Sequence, residues 1–131
     1  MARRVCDRFE RETGIPRFVA GSMGPTGKLP SGSDPDLSNV TFEELAHVFY
    51  RQARGLVEGG ADLLLLETSQ DILEVKAAIW GINQYFEDAG VRIPLQAQIT
   101  LDTSGRMLFG TDIASALTTL EALPIDVIGI N

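Results

Sequence analysis

Apolar positions along the chain follow two alternating periods. From Phe42 to Val57 the residues Phe42, Leu45, Ala46, Phe49, Ala53, Leu56 and Val57 recur at helical spacing, and Gly59-Gly60 ends the run. Thr41 and Glu44 open it as a capping box, the hydroxyl receiving a backbone N–H while the glutamate reaches back. Asp62-Leu-Leu-Leu-Leu-Glu67 follows as a strand. Its unbroken apolar run predicts burial on both faces, as in a parallel sheet covered by helices. Asp71 offers a second cap, and Ile72, Val75, Ile79, Ile82 and Phe86 carry a helix to about Asp88. Residues 93–100 alternate Leu95, Ala97 and Ile99 with Gln96 and Gln98, a strand whose second face meets polar groups. A loop over 102–110, a helix over 112–122 and a last strand over 126–131 complete the pattern.

The N-terminal part is less regular. A helix over 2–13, with a stripe of Val5, Cys6 and Phe9, is stopped by Gly14. Residues 17–22 read as a short strand led in by Pro16. Residues 23–40 hold Gly24, Gly27, Gly32, Pro25, Pro30 and Pro35 and predict a long loop, either a mobile connection or a functional one.

The order is therefore helix, then β-α-β-α-β-α-β. Strands starting near 62, 94 and 125 are about 31–32 residues apart, the length of a βαβ step. Segments 60–67 and 124–131 also resemble each other, each with Asp before the apolar run and a polar residue at its end. This predicts an α/β fold of parallel βα repeats. With 131 residues against roughly 250 for a (β/α)8 TIM barrel, the expectation is about half of such a barrel. A small doubly wound domain is the alternative, although Gly21-Ser-Met-Gly24 lacks the dinucleotide-binding spacing.

Composition narrows the function. At 44% hydrophobic and 22% charged the chain is that of a globular protein. Lys and Arg total 11 against 18 Asp and Glu, a net charge of −7 that disfavours nucleic acid as a partner. No stretch approaches the roughly 20 apolar residues of a membrane span, and no apolar segment of a secretory leader follows the paired arginines. With Cys6 as its single cysteine the chain has no disulfide framework, which predicts a reducing, cytoplasmic setting.

In parallel α/β folds the chemistry lies beyond the C-terminal strand ends. Those ends are Ser22, Glu67-Thr68, Thr100 with Asp102, and Asn131. Glu67 stands out because four leucines precede it, so its carboxylate needs a cation or donors to offset desolvation. A substrate ammonium would serve, and so would backbone N–H groups or an arginine. His47 falls between stripe positions and reads as solvent-facing, Cys6 as a packed thiol, Trp80 as packing or surface cover. Gly24-Pro-Thr-Gly27 is a weak anion cradle, since Pro25 lacks a donor. No metal-ligand spacing is present.

Four segments in order carry a resemblance: Val19 to Ser31, Glu58 to Thr68 with Asp71 to Ala78, Ser104 to Asp112, and Ile128 to Asn131. Over residues 17–131 the chain resembles the homocysteine S-methyltransferase family, and within it the homocysteine-binding domain of the cobalamin-dependent methionine synthases. The resemblance implies a zinc-dependent transfer of a methyl group from methylcobalamin to homocysteine, giving methionine. Zinc would keep the substrate sulfur as thiolate, whereas a free thiol with a pKa of ~8.5 is mostly protonated at neutral pH. It implies that Glu67 holds the homocysteine amino group, with Ser22, Thr100 and Asn131 as neighbouring rim positions. It also implies that residues 1–131 are a partial domain, lacking the family's first strand and the C-terminal half. All three zinc cysteines of the family would then lie outside the chain, the first directly after Asn131. Neither zinc nor cobalamin is expected to bind this segment alone. Its partners would be homocysteine and the remaining domains of a parent protein. A non-catalytic half-barrel that self-associates through exposed sheet edges is the alternative, and an unrelated small-molecule-binding domain a third.

Overall fold

The computed structural model describes residues 1–131. Helices α1 (Ala2–Thr13), α2 (Phe42–Glu58), α3 (Ile72–Ala89) and α4 (Ile113–Glu121) alternate with strands β1 (Ala20–Met23), β2 (Leu63–Ser69), β3 (Leu95–Ile99) and β4 (Val127–Ile130). The strands form one parallel sheet in the order β1-β2-β3-β4. Consecutive strands are neighbours, so right-handed crossovers place every connecting helix on the same face. A doubly wound sheet would reverse its strand order and carry helices on both faces. The arrangement is that of about half a (β/α)8 barrel.

The core lies between that face and the helices. Met23, Leu64, Leu66, Leu95, Ala97 and Ile99 point into it from the sheet and meet Phe49, Ala53, Val75, Ile79, Ile82, Ala116 and Leu120. Phe49, Ile79 and Leu64 are at most 1% exposed, and each such side chain contributes roughly 1.5–3 kcal/mol by leaving water. The opposite, concave face carries Leu63, Leu65, Gln96 and Gln98, all half-buried. Burial of β2 on both faces, expected from its four leucines, is thus only half achieved, because no helix covers the concave side. No helix is long and apolar enough to cross a membrane.

The two helices α2 and α3 approach closely at one point. A Cβ at Gly81 would lie 2.0 Å from the carbonyl oxygen of Ala46, so only glycine fits there. The capping box at Thr41 and Glu44 forms as predicted, with both hydrogen bonds present. Asp71 caps α3 by accepting from the Leu73 N–H at 2.9 Å.

Two elements depart from the sequence reading. The first strand begins at Ala20 rather than Arg17. Helix α1 buries none of its residues, and its expected stripe stays partly open, with Val5 50% and Phe9 37% exposed. Polar contacts fasten it instead: the Arg3 guanidinium donates to Asp7, to Asp62 and to the Arg17 carbonyl oxygen.

The internal repeat has a structural meaning. Asp62 Oδ2 accepts from the Val19 N–H at 2.6 Å, and its own N–H donates to the Val19 carbonyl. Asp126 does the same for Leu95, accepting at 2.7 Å and donating back at 2.8 Å. Each aspartate thereby ties the start of one strand to the start of its neighbour, and each also receives an arginine, Arg3 or Arg92. The Leu95 N–H, with Arg92 behind it, holds the Asp126 carboxyl below its usual range.

A lowered folded pKa contributes stability that is present above the unfolded value, about 3.9, and is lost as pH falls through the folded one. Urea midpoints are expected to be level from pH 7 to about 5 and to fall below about 4, with a shallower acid limb in D126N. Gly81→Ala is expected to destabilise by at least about 2 kcal/mol. Gly55→Ala, where a Cβ meets nothing within 4 Å, is expected to stabilise α2 by about 0.5–1 kcal/mol. The same urea titrations check both.

Candidate functional site

Parallel strands bring their C-terminal ends to one rim. Ser22 lies near the end of β1, Glu67 and Thr68 near the end of β2, and Thr100 and Asn131 directly follow β3 and β4. Two side-chain contacts join them. The Ser22 hydroxyl donates to Glu67 Oε1. The Asn131 amide donates to the Thr68 hydroxyl at 3.2 Å and to the Thr100 hydroxyl at 3.3 Å. The four residues singled out from the sequence therefore share one rim, as two pairs, and Thr68 stands between the pairs.

A β-bulge creates this arrangement. Leu66 pairs with Ala97 and Ser69 with Ile99, so Glu67 and Thr68 together oppose Gln98 alone. Thr68 takes up the extra residue with φ 61°, the one non-glycine residue in the left-handed region. A β-branched side chain there stores strain of order 1–3 kcal/mol. The extra residue resets the alternation of the strand. Ser69 turns to the helix side and is 1% exposed, while Thr68 stays at the rim beside Glu67. The Ser69 hydroxyl, buried by this turn, has no hydrogen-bond partner. Sequence reasoning missed the bulge, because Glu67-Thr-Ser69 reads equally well as the plain end of a strand.

Glu67 is half-buried, and its one side-chain partner is the Ser22 hydroxyl. None of the ion pairs in the structure involves it. Of the partners weighed for it from the sequence, an arginine and backbone N–H groups are absent. A carboxylate has about four lone-pair sites, so most of its accepting capacity faces the open rim.

The other acids near the rim are spoken for. Asp102 accepts from the Ser104 hydroxyl at 2.6 Å and from the Ser104 and Arg106 N–H groups. The Ser104 hydroxyl leads in holding its carboxyl below the usual range. Asp102 thus closes its own loop. Asp71 and Glu74, at the start of α3, are 1% and 2% exposed. Glu74 accepts from both the N–H and the hydroxyl of Thr26, and Asp71 from both the N–H and the hydroxyl of Ser31. The Gly24–Gly27 cradle therefore holds an anion of the protein's own, the Glu74 carboxylate. The long loop is fastened internally as well: Leu29 bonds to Leu37, and Asp34 accepts from the Asp36 and Leu37 N–H groups. Glu74 was missed in the sequence, where its one signal is its place three residues after the Asp71 cap.

His47 and Trp80 are exposed on the helix layer, and Cys6 is half-buried on α1. An apolar groove of about 280 Å³ beside Trp80, Ile79 and Leu123 lies on that outer layer, away from the rim. At the rim itself a cleft of about 180 Å³ is lined by Gln70, Thr100, Leu101, Asp102, Arg106 and Leu108. No three His, Cys, Asp or Glu side chains converge, so these residues do not supply the donor set of a tetrahedral zinc.

The sequence and the fold have counterparts among known proteins. The methionine synthase of Mycobacterium tuberculosis is 42% identical over 134 residues, covering 100% of this chain, and that of Mycobacterium leprae 39% identical over 131 residues. The chain spans about a tenth of their length (10% of each). The apo form of the homocysteine methyltransferase MmuM from Escherichia coli superposes with a TM-score of 0.79 at 25% identity, over 99% of this chain and 45% of that one. Its metallated form superposes at 0.70 and 23% identity, a likeness of fold. The homocysteine S-methyltransferase family matches residues 1–131 from end to end, and the chain belongs to that family.

Proposed function

We propose that residues 1–131 form part of the homocysteine-binding barrel of a methionine synthase, and that the Glu67 carboxylate receives the substrate ammonium. The observation that carries this reading is the state of Glu67: half-buried at a strand end, touched by one hydroxyl and otherwise open. Such a carboxylate gains most from a ligand that brings a cation with several N–H donors, which is what an amino-acid ammonium is. The Ser22 hydroxyl orients it from β1. Thr100 and Asn131 line the adjoining rim, and the Asn131 amide is held by the Thr68 and Thr100 hydroxyls.

The reaction in this reading is methyl transfer to the homocysteine sulfur. Zinc would hold that sulfur as thiolate and methylcobalamin would supply the methyl group. Both belong to residues outside this chain, which on this reading lacks the family's first strand and the second half of the barrel. The chain alone is then inactive, and its setting is the cytoplasm. What these residues contribute is binding and orientation of the amino-acid end, which fixes where the sulfur lies.

The test uses the complete reading frame that carries these residues. In E67Q, calorimetry is expected to show homocysteine binding weakened about 10- to 100-fold, the range for a charged hydrogen bond. The des-amino analogue of homocysteine, which keeps the thiol and carboxylate, is expected to bind E67Q and the unaltered protein alike. Undiminished homocysteine binding in E67Q overturns the reading.

A second reading, a half-barrel that associates with another copy, is favoured by the apolar groups it leaves open: Phe18, Val127 and Ile130 are 72%, 47% and 54% exposed. Sedimentation of the 131-residue chain by itself separates the two. A discrete dimer at micromolar concentration supports association, and a monomer excludes it.

A further inference from the structure

We propose that Asp71 and Glu74 are positioning residues for the Glu67 carboxylate: they tie the segment that follows Ser22 to the segment that follows Glu67. The proposal rests on the reading of Glu67 as the ammonium acceptor.

The geometry is a closed circuit. Ser22 touches Glu67 across the β1–β2 edge. From Ser22 the chain runs on to Thr26 and Ser31, and from Glu67 to Asp71 and Glu74. Glu74 Oε1 accepts from the Thr26 N–H at 2.8 Å and from its hydroxyl at 2.5 Å. Asp71 Oδ2 accepts from the Ser31 N–H at 2.8 Å, and Oδ1 from the Ser31 hydroxyl at 2.6 Å. The two loops above the rim are thereby one unit, and the segment that follows the Ser22 hydroxyl is tied to the segment that follows Glu67.

These contacts exceed what α3 needs for itself. Capping uses a single bond, from Leu73 to Asp71. The other four reach residues 40 and 48 positions earlier in the chain. Burying two carboxylates is costly, and the donors that offset it come from the loop. Strand β1 is short, with four residues. Asp62 fastens its start through Val19, and the Thr26 and Ser31 contacts fasten the chain beyond its end, past Ser22.

Asp71→Asn separates the clamp from the cap. Asparagine caps a helix about as well as aspartate, so Leu73 keeps its acceptor. The amide nitrogen then faces the Ser31 N–H, donor against donor. Glu74→Ala removes the acceptor for Thr26, whereas Glu74→Gln keeps it. Ser31→Ala removes one clamp bond with no change of charge, and with D71N it carries the test should E74A fail to fold.

In the complete reading frame, D71N and E74A are expected to weaken homocysteine binding about tenfold, the scale of a small misplacement of a binding group. The des-amino analogue is expected to change less than about twofold, and E74Q to bind homocysteine within about threefold of the unaltered protein. Equal loss for both ligands, or no loss for either, overturns the positioning role. If E67Q distinguishes the two ligands while D71N and E74A do not, the positioning role alone falls. If E67Q does not distinguish them, the ammonium reading falls and this proposal with it.

Discussion

Everything in this fold depends on the strand order. Because consecutive parallel strands are neighbours, each crossover is the same right-handed turn, and every connecting helix lands on one face. The other face is left concave, and all strand C-termini meet at one rim. That constraint gathers Ser22, Glu67, Thr100 and Asn131, which are spread over more than a hundred residues of sequence. No side-chain interaction is needed to collect them.

Within that frame the carboxylates divide by what satisfies them. Asp62 and Asp126 sit at the strand starts and take a backbone N–H and an arginine each. Asp71 and Glu74 sit at the first turn of α3 and take N–H and hydroxyl donors from the long loop. Asp102 folds back on its own turn. Glu67, at a strand end with apolar residues behind it, is left with one hydroxyl. The contrast matters more than the isolated fact. A chain that supplies backbone donors or an arginine to its other partly buried acids leaves this one open toward solvent, where a ligand can complete it.

The bulge in β2 adds a local constraint to the global one. An unbroken strand would send Thr68 to the helix layer and Ser69 to the rim. The inserted residue keeps two consecutive polar groups, Glu67 and Thr68, at the rim at the expense of a left-handed threonine and an unpartnered serine hydroxyl. Strain and an orphan hydroxyl beside the same carboxylate mark the place where the fold departs from its own regularity, and functional sites are where such departures collect.

Residues near in sequence wrote most of the fold plainly. The helical stripe from Phe42 to Val57, the capping box at Thr41, the period-two alternation at Leu95 to Ile99 and the spacing of βα steps are local patterns, and local sterics and burial suffice to read them. Glu67 was legible for the same reason, as a charge following four leucines. The repeated aspartates were visible as a pattern, but their pairing with Val19 and Leu95 was not. Only tertiary structure decided the exposure of the α1 stripe, the bulge at Thr68, and the capture of Thr26 and Ser31 by Glu74 and Asp71. Each of these turns on what lies opposite a residue across 30 or more positions of chain, and hydrogen bonds over that distance leave no period in the sequence.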